Sequence, residues 1–78
     1  MLLSEAIHKR INNLLKQNNI NQWKLYKSSG VPSSTLSYFM SGKKEFITLK
    51  TLQHICESLN ITIRQFFDDP IFDNVEQD

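Results

Sequence analysis

The chain has 78 residues with nine Lys or Arg and eight Asp or Glu, giving a formal net charge of +1. This length predicts one small domain, which buries only about 60% of the surface of its unfolded chain. A single cysteine excludes an internal disulfide framework. No stretch approaches the ~20 apolar residues of a membrane span, and the N-terminus lacks a signal-peptide core, so we expect a cytoplasmic protein.

The small net charge hides an asymmetry between the body of the chain and its end. Residues 1–67 hold all nine basic residues and three acids, a net charge of +6, whereas residues 68–78 hold five acids and no base. A basic body is typical of a nucleic-acid-binding surface, and the acidic end would screen it. The alternatives are a solvated tail that aids solubility, or apolar tail residues that pack on the body or on a partner.

The first predicted helix begins near Ser4, a good N-cap, and ends near Asn18 and Asn19. Its core-facing stripe comprises Ile7, Ile11, Leu14 and Leu15. The basic side chains expected to face outward are Lys9, Arg10 and Lys16. His8 is expected to be solvated rather than a metal ligand, because no second metal-binding residue type stands three or four positions further on.

Residues 21–42 predict two short helices that meet at a tight corner. Asn21 is a natural N-cap for the first helix, Gly30 suits the left-handed turn after it, and Pro32 can open the second helix. The inner face of the second helix is predicted to carry Leu36, Phe39 and Met40. Its outer face carries Ser33, Ser34, Ser37 and Tyr38. A short helix with hydroxyl groups outside and apolar residues inside resembles a DNA recognition helix.

Two further helices are predicted, capped by Thr48 and by Thr62. The apolar stripe of the fourth helix comprises Leu49, Leu52, Ile55, Cys56 and Leu59. Cys56 lies in this stripe and is expected to be a buried small hydrophobe rather than a nucleophile. After a turn at Asn60, the residues expected to close the core are Ile61, Ile63, Phe66 and Phe67.

An ordered set of residues resembles the Cro/CI-type (Xre-like) helix-turn-helix family. The matching positions are Gln22, Leu25, Gly30, Val31, Leu36, Phe39, Gly42 and Lys43, followed by the stretch TLKTLQHICESLNIT. The resemblance runs from about Ser4 to Phe67. It implies an all-α, compact five-helix lambda-repressor-like DNA-binding domain in which helices 2 and 3 form the helix-turn-helix. We assign residues 1–69 to this domain and residues 70–78 to an acidic C-terminal tail.

Three departures from the family pattern affect the interpretation. Tyr26 stands where the family often has a small residue. Leu15 and Met40 stand where many family members have a partly buried Arg–Glu pair. Replacement of both partners avoids one unpaired buried charge, which would cost roughly 3–5 kcal/mol. The double replacement predicts that the two side chains touch. The outer face of the recognition helix has no Arg, Gln or Asn, so base recognition would depend partly on DNA shape and water.

The resemblance implies sequence-specific binding of double-stranded DNA by a small, repressor-like transcriptional regulator that acts as a homodimer on a two-fold operator. Gln22 would bind a phosphate at the start of helix 2. The major groove would receive Ser33, Ser34, Ser37 and Tyr38. Lys43 and Lys44, just past the recognition helix, would contact the phosphate backbone. Trp23 is expected at the edge of the core, with a platform against the DNA backbone as the alternative.

The main rival is a protein-interaction module or antitoxin that keeps the fold and binds a protein partner. It would use the serine and tyrosine face or the acidic tail, and the weak base-reading chemistry favours it somewhat. We expect no enzymatic activity and no cofactor, because the sequence shows no Gly-rich phosphate loop, no metal-ligand cluster and no paired catalytic set.

Overall fold

The computed structural model describes residues 1–41 and 47–76, apart from the side chain of Ser33. Within these ranges the chain forms five α-helices and a short 3₁₀ turn, and it has no β-strand. The elements are α1 (Leu3–Gln17), α2 (Gln22–Ser29), α3 (Ser33–Met40), α4 (Leu49–Ser58), α5 (Ile63–Phe67) and the 3₁₀ turn (Pro70–Phe72). The predicted all-α, five-helix architecture is confirmed.

The N-terminus of α1 differs from the prediction. The helix begins at Leu3, with Leu2 as its N-cap residue, so Ser4 lies inside the first turn. Glu5 replaces the expected serine cap, because its carboxylate accepts a hydrogen bond from the backbone N–H of Leu2 at 2.9 Å. An acid in the first turn also interacts favourably with the helix dipole. The other end agrees with the prediction, since Asn19 adopts a left-handed backbone with φ 56°.

The caps of three later helices are those that the sequence predicted. The side chain of Asn21 accepts a hydrogen bond from the N–H of Lys24 at 2.9 Å, and Thr48 caps α4 in the same way. Thr62 accepts from the N–H of Gln65, whose side chain accepts in return from the N–H of Thr62 at 2.8 Å. Each cap satisfies donors that a helix end leaves without an intrahelical partner.

One apolar cluster joins the helices. Its buried members are Ile7, Ile11, Leu14, Leu15, Leu25, Val31, Leu36, Phe39, Met40, Leu52, Ile55, Cys56, Leu59 and Phe66. Leu15 and Met40 are thus buried in the same cluster, and their direct contact stays a prediction. Cys56 is buried as expected, and burial is the main cause that raises the pKa of its thiol. A thiol held in its neutral form is a poor nucleophile.

Three residues predicted to lie in the core are instead exposed. Leu49 is 73% exposed, Ile63 is 37% exposed, and Phe67, the last residue of α5, is 36% exposed. Leu49 and Ile63 are each the first residue of a helix, α4 and α5 respectively. Because the Cα–Cβ bonds of a helix tilt toward its N-terminus, a side chain at the first position projects beyond the helix end. Periodicity placed these residues on the correct side of the helix but could not show that the packed surface had ended.

Arg10 is buried in the fold. Its charge predicted an outward position, but the residue is only 8% exposed. Its Nε and one terminal nitrogen donate hydrogen bonds to the carbonyl oxygens of Phe66, at 2.8 Å, and Gln65, at 3.1 Å. The other terminal nitrogen forms a 3.2 Å salt bridge with Asp69. Buried guanidinium groups are tolerated when their donors are satisfied in this way. Arg10 therefore fastens the C-terminal end of α5 to α1.

The first part of the acidic tail packs against the body. The ring of Phe72 lies 4.9 Å from that of Phe67 and 6.0 Å from that of Phe66, measured between centroids. Further along, the backbone N–H of Glu76 donates to the carbonyl of Met1 at 3.0 Å. The described part of the tail thus lies beside both α1 and α5, in agreement with the alternative that its apolar residues pack on the body.

Candidate nucleic-acid interface

The corner between α2 and α3 is built as the sequence predicted. Gly30 follows α2 with φ 73° and ψ 3°, a left-handed conformation that glycine adopts without steric cost. The buried Ser29 accepts a hydrogen bond from the N–H of Val31 at 3.3 Å, which closes the turn. Leu25 on α2 and Leu36 on α3 are both fully buried in the core cluster. Two short helices are therefore held at a fixed corner, the arrangement of a helix-turn-helix.

The two faces of α3 are clearly separated. Leu36, Phe39 and Met40 are buried in the core, at 0%, 2% and 8% exposure. Ser34 and Ser37 are exposed on the opposite side, and Tyr38 is 55% exposed. Ser33 is the first residue of the helix, and its side chain lies outside the described part. The described polar side chains expected to face DNA thus present their groups to solvent, on a helix whose other side is fixed.

Gln22 occupies the first position of α2 and is half-buried. The hydroxyl of Tyr26, one turn further along the same helix, donates a hydrogen bond to Oε1 of Gln22 at 3.1 Å. The ring of Tyr26 is partly buried and packs against the core cluster. The start of α2 combines this ordered amide with the positive end of a helix dipole, which is a favourable place for an anion.

Trp23 does not lie at the edge of the core, so that prediction is wrong. The indole is 62% exposed, and Nζ of Lys27 lies 5.3 Å from the ring centroid. Such an arrangement is a cation–π contact. Trp23 and Lys27 are one turn apart, on the side of α2 opposite to the buried Leu25 and Ser29. Trp23 therefore joins the solvent-facing surface.

The exposed face of α2 also carries two basic residues that the sequence pattern did not single out. Lys24 and Lys27 are both exposed. The spacing of Trp23 and Lys27 was the available signal, because residues four apart lie on one face of a helix. Lys43 and Lys44, expected to contact the phosphate backbone, lie outside the described residues, as does Gly42.

Other kinds of site are not apparent in the described part of the chain. His8, expected to be solvated rather than a metal ligand, is half-buried, and its ring lies 5.8 Å from that of Phe39. Within residues 1–41 and 47–76, no three His, Cys, Asp or Glu side chains come together in a way that could hold a metal ion. None of the helices in these ranges is long and apolar enough to cross a membrane.

Comparisons with known proteins agree with this geometry. The family model of the Cro/C1-type HTH DNA-binding domain matches residues 10–70. Among solved structures, the chain is similar to the prophage Lp1 protein 11, with a TM-score of 0.83 and 25% sequence identity over 96% of this chain and 100% of that chain. The comparison with curated protein sequences finds no match. The match to the family model spans most of the chain and includes both helices of the corner. The protein therefore belongs to the Cro/C1-type helix-turn-helix family of DNA-binding domains and is a DNA-binding regulator in the general sense.

Proposed function

We propose that this chain is a repressor-like transcriptional regulator that binds double-stranded DNA sequence-specifically, with α3 in the major groove. The observation that carries the proposal is the outward face of α3. Ser34, Ser37 and Tyr38 are exposed there, while Leu36 and Phe39 fix the opposite face in the core. A recognition helix needs this combination, because a rigid inner face sets the position of the base-reading side chains.

The side chains of α3 suit a particular way of reading bases. Hydroxyl groups of Ser33, Ser34 and Ser37 can donate to or accept from base edges at close range, and Tyr38 can contact a thymine methyl or a phosphate. None of them makes the bidentate contact that contributes about 1–3 kcal/mol of discrimination. We therefore propose that specificity comes in large part from DNA shape and bridging water.

Affinity would come from contacts to the phosphate backbone. Gln22 at the start of α2 would donate to one phosphate, and Lys43 and Lys44, which follow α3 in the sequence, would contact the backbone. The exposure of Trp23 supports the alternative role considered for it, as a platform against the DNA backbone. The Trp23 ring would add an apolar surface against the backbone, and Lys27 beside it would add a positive charge.

A homodimer on a two-fold operator completes the proposal, with half-sites about one DNA turn apart. Occupancy of the operator in the bacterial or phage-infected cytoplasm would then block the polymerase. The rival is a protein-interaction module or antitoxin that binds its partner through α3 or the acidic tail. The exposed Trp23 and the lack of Arg, Gln or Asn on the outer face of α3 are the observations that favour it.

The proposal is tested by salt-dependent binding of the full chain to duplex DNA, first selected from a random pool. If Lys27, Lys43 and Lys44 of each protomer contact phosphates, a dimer displaces about six counterions, and the slope of log affinity against log salt concentration should be about −5. An affinity that does not change with salt concentration would contradict the proposed phosphate contacts. No measurable binding to selected duplexes at low salt would refute the regulator and leave the protein-interaction module.

A further inference from the structure

Tyr26 is an unusual residue in the middle of α2. Its ring is partly buried against the core cluster, and its hydroxyl reaches back one helical turn to Oε1 of Gln22, 3.1 Å away. A small residue, frequent at this position in the family that the chain resembles, could not make this bond. The two side chains are therefore tied together by a contact that belongs to this sequence.

The hydrogen bond determines which part of the Gln22 amide is available to a ligand. A phenol hydroxyl donates to the carbonyl oxygen of the amide, so the NH₂ group, which carries two donors, points away from the tyrosine. A phosphate oxygen can only accept hydrogen bonds. An amide that is oriented by its oxygen thus presents to a phosphate the one half that can bind it.

The same bond restricts the motion of a flexible side chain. A free glutamine populates several rotamers and loses that freedom when it binds a ligand. Because the Tyr26 ring is packed against the core, its hydroxyl holds Gln22 near one position before any ligand arrives. Ordering a group in advance improves affinity by removing part of the entropy loss from the binding step.

We propose that Tyr26 is a positioning residue for DNA binding: it orients the Gln22 amide so that its NH₂ group donates to a backbone phosphate at the N-terminus of α2. This inference rests on the proposed function, because Gln22 has a phosphate to bind only if α2 and α3 dock on duplex DNA. Tyr26 itself does not touch the DNA.

The experiment is a double-mutant cycle on the full chain with a selected duplex. Tyr26→Phe keeps the ring and removes only the hydroxyl, and we expect about three- to tenfold weaker binding, the range for loss of one hydrogen bond. Gln22→Ala should weaken binding at least as much, and the double variant should be no weaker than Gln22→Ala. Gln22→Glu keeps an oxygen for the Tyr26 hydroxyl but loses the donor, so it should bind worse than Gln22→Ala.

Two controls separate positioning from a general loss of structure. Gln53 is exposed on α4, and Gln53→Ala should leave the affinity unchanged. Since the Gln22 amide is uncharged, Tyr26→Phe should lower the affinity by the same factor at every salt concentration, with an unchanged slope. If the variant proves unstable, the side-chain NH₂ resonances of Gln22 in the wild-type protein should shift when duplex DNA is added.

The outcomes distinguish this inference from the function on which it rests. If the wild-type protein and the Tyr26→Phe variant bind DNA equally well, the positioning role is overturned and the proposed regulator function stands. Additive losses in the cycle, or Gln22 NH₂ resonances unmoved by DNA, overturn it as well. Wild-type protein that fails to bind any duplex refutes the regulator and the positioning role together.

Discussion

Replacement of Arg10 by methionine should destabilise the domain more than any other change of a charged residue in its described part. The guanidinium donates hydrogen bonds to the carbonyl oxygens of Gln65 and Phe66 and forms a salt bridge with Asp69. The methionine would fill much of the volume but would leave these three acceptors without their donor. Removal of one partner from a buried ion pair costs about 3–5 kcal/mol.

The expected loss from Arg10→Met lies toward the lower end of that range, about 3 kcal/mol, because the Asp69 side chain is 27% exposed and can be rehydrated. Native domains are stable by only about 5–15 kcal/mol in total. The variant should therefore unfold at a much lower urea concentration, as measured by far-UV circular dichroism. The dependence of the unfolding free energy on urea concentration should stay unchanged. Lys9→Met, at an exposed neighbour on α1, is the matched control and should change the stability by less than about 0.5 kcal/mol.

Two related changes divide the effect of Arg10 among its partners. Asp69→Asn removes only the partly exposed charge, and we expect it to cost about 1 kcal/mol or less. Arg10→Lys keeps a charge but cannot reach three acceptors at once, so it should recover little of the loss. A loss below about 1 kcal/mol for Arg10→Met would refute the view that this side chain fastens α5 to α1.

Other changes test other parts of the fold. Gly30→Ala should cost about 1–2 kcal/mol in urea unfolding, because φ is 73° there although a Cβ would meet no atom within 4 Å; an unaffected midpoint would contradict a strained turn. Truncation after Phe67 removes Asp69 and Phe72, so thermal unfolding should shift to a lower temperature. If the tail acids screen the basic body, the folded fraction of the truncated protein should also bind non-specific DNA more tightly. If neither property changes, the tail is a solvated extension. Burial raises the pKa of the Cys56 thiol, so this thiol ionises at a lower pH in the unfolded protein than in the folded one. The free energy of unfolding should therefore fall as the pH rises above about 8.5. A Cys56→Ala variant should lose this part of the pH dependence.

The corner and the caps of α2, α4 and α5 were predictable from the sequence because they depend on local chemistry, whereas at α1 Glu5 takes the place of the expected Ser4. Gly30 is needed where the backbone turns left-handed, and Asn21 caps α2 with its own side chain. Both effects act within three or four residues, so the sequence order alone reveals them. The separation of the two faces of α3 follows in the same way from the helical period.

The errors arise where distant parts of the chain meet. Arg10 stands three residues after Ile7 and four before Leu14, so it lies on the buried face of α1, but its charge suggested an outward position. Its partners are 55 to 59 residues away, and no pattern within α1 reveals them. The position of Trp23 was predicted wrongly for the opposite reason. Its large apolar side chain suggested the core, whereas α2 packs through Leu25 and Ser29 on its other side.

The candidate site was predictable as a surface but not as a set of contacts. The exposure of Ser34, Ser37 and Tyr38 follows from the period of α3. The hydrogen bond from Tyr26 to Gln22 joins residues at helical spacing, yet a rotamer choice decides whether it forms. Lys24 and Lys27 were overlooked because lysine is common on any solvated helix face.

The most direct test of the central claim compares two glutamates placed on different faces of the folded protein. Ser37→Glu puts a negative charge on the outward face of α3, and Gln53→Glu puts the same charge on the exposed face of α4. If α3 docks in the major groove, Ser37→Glu should weaken binding to a selected duplex by at least about 30-fold, because like charges brought together at an interface cost several kcal/mol. Gln53→Glu should change the affinity by less than about threefold. Equal affinities for the two variants, with both proteins folded, would show that DNA is not read by this face.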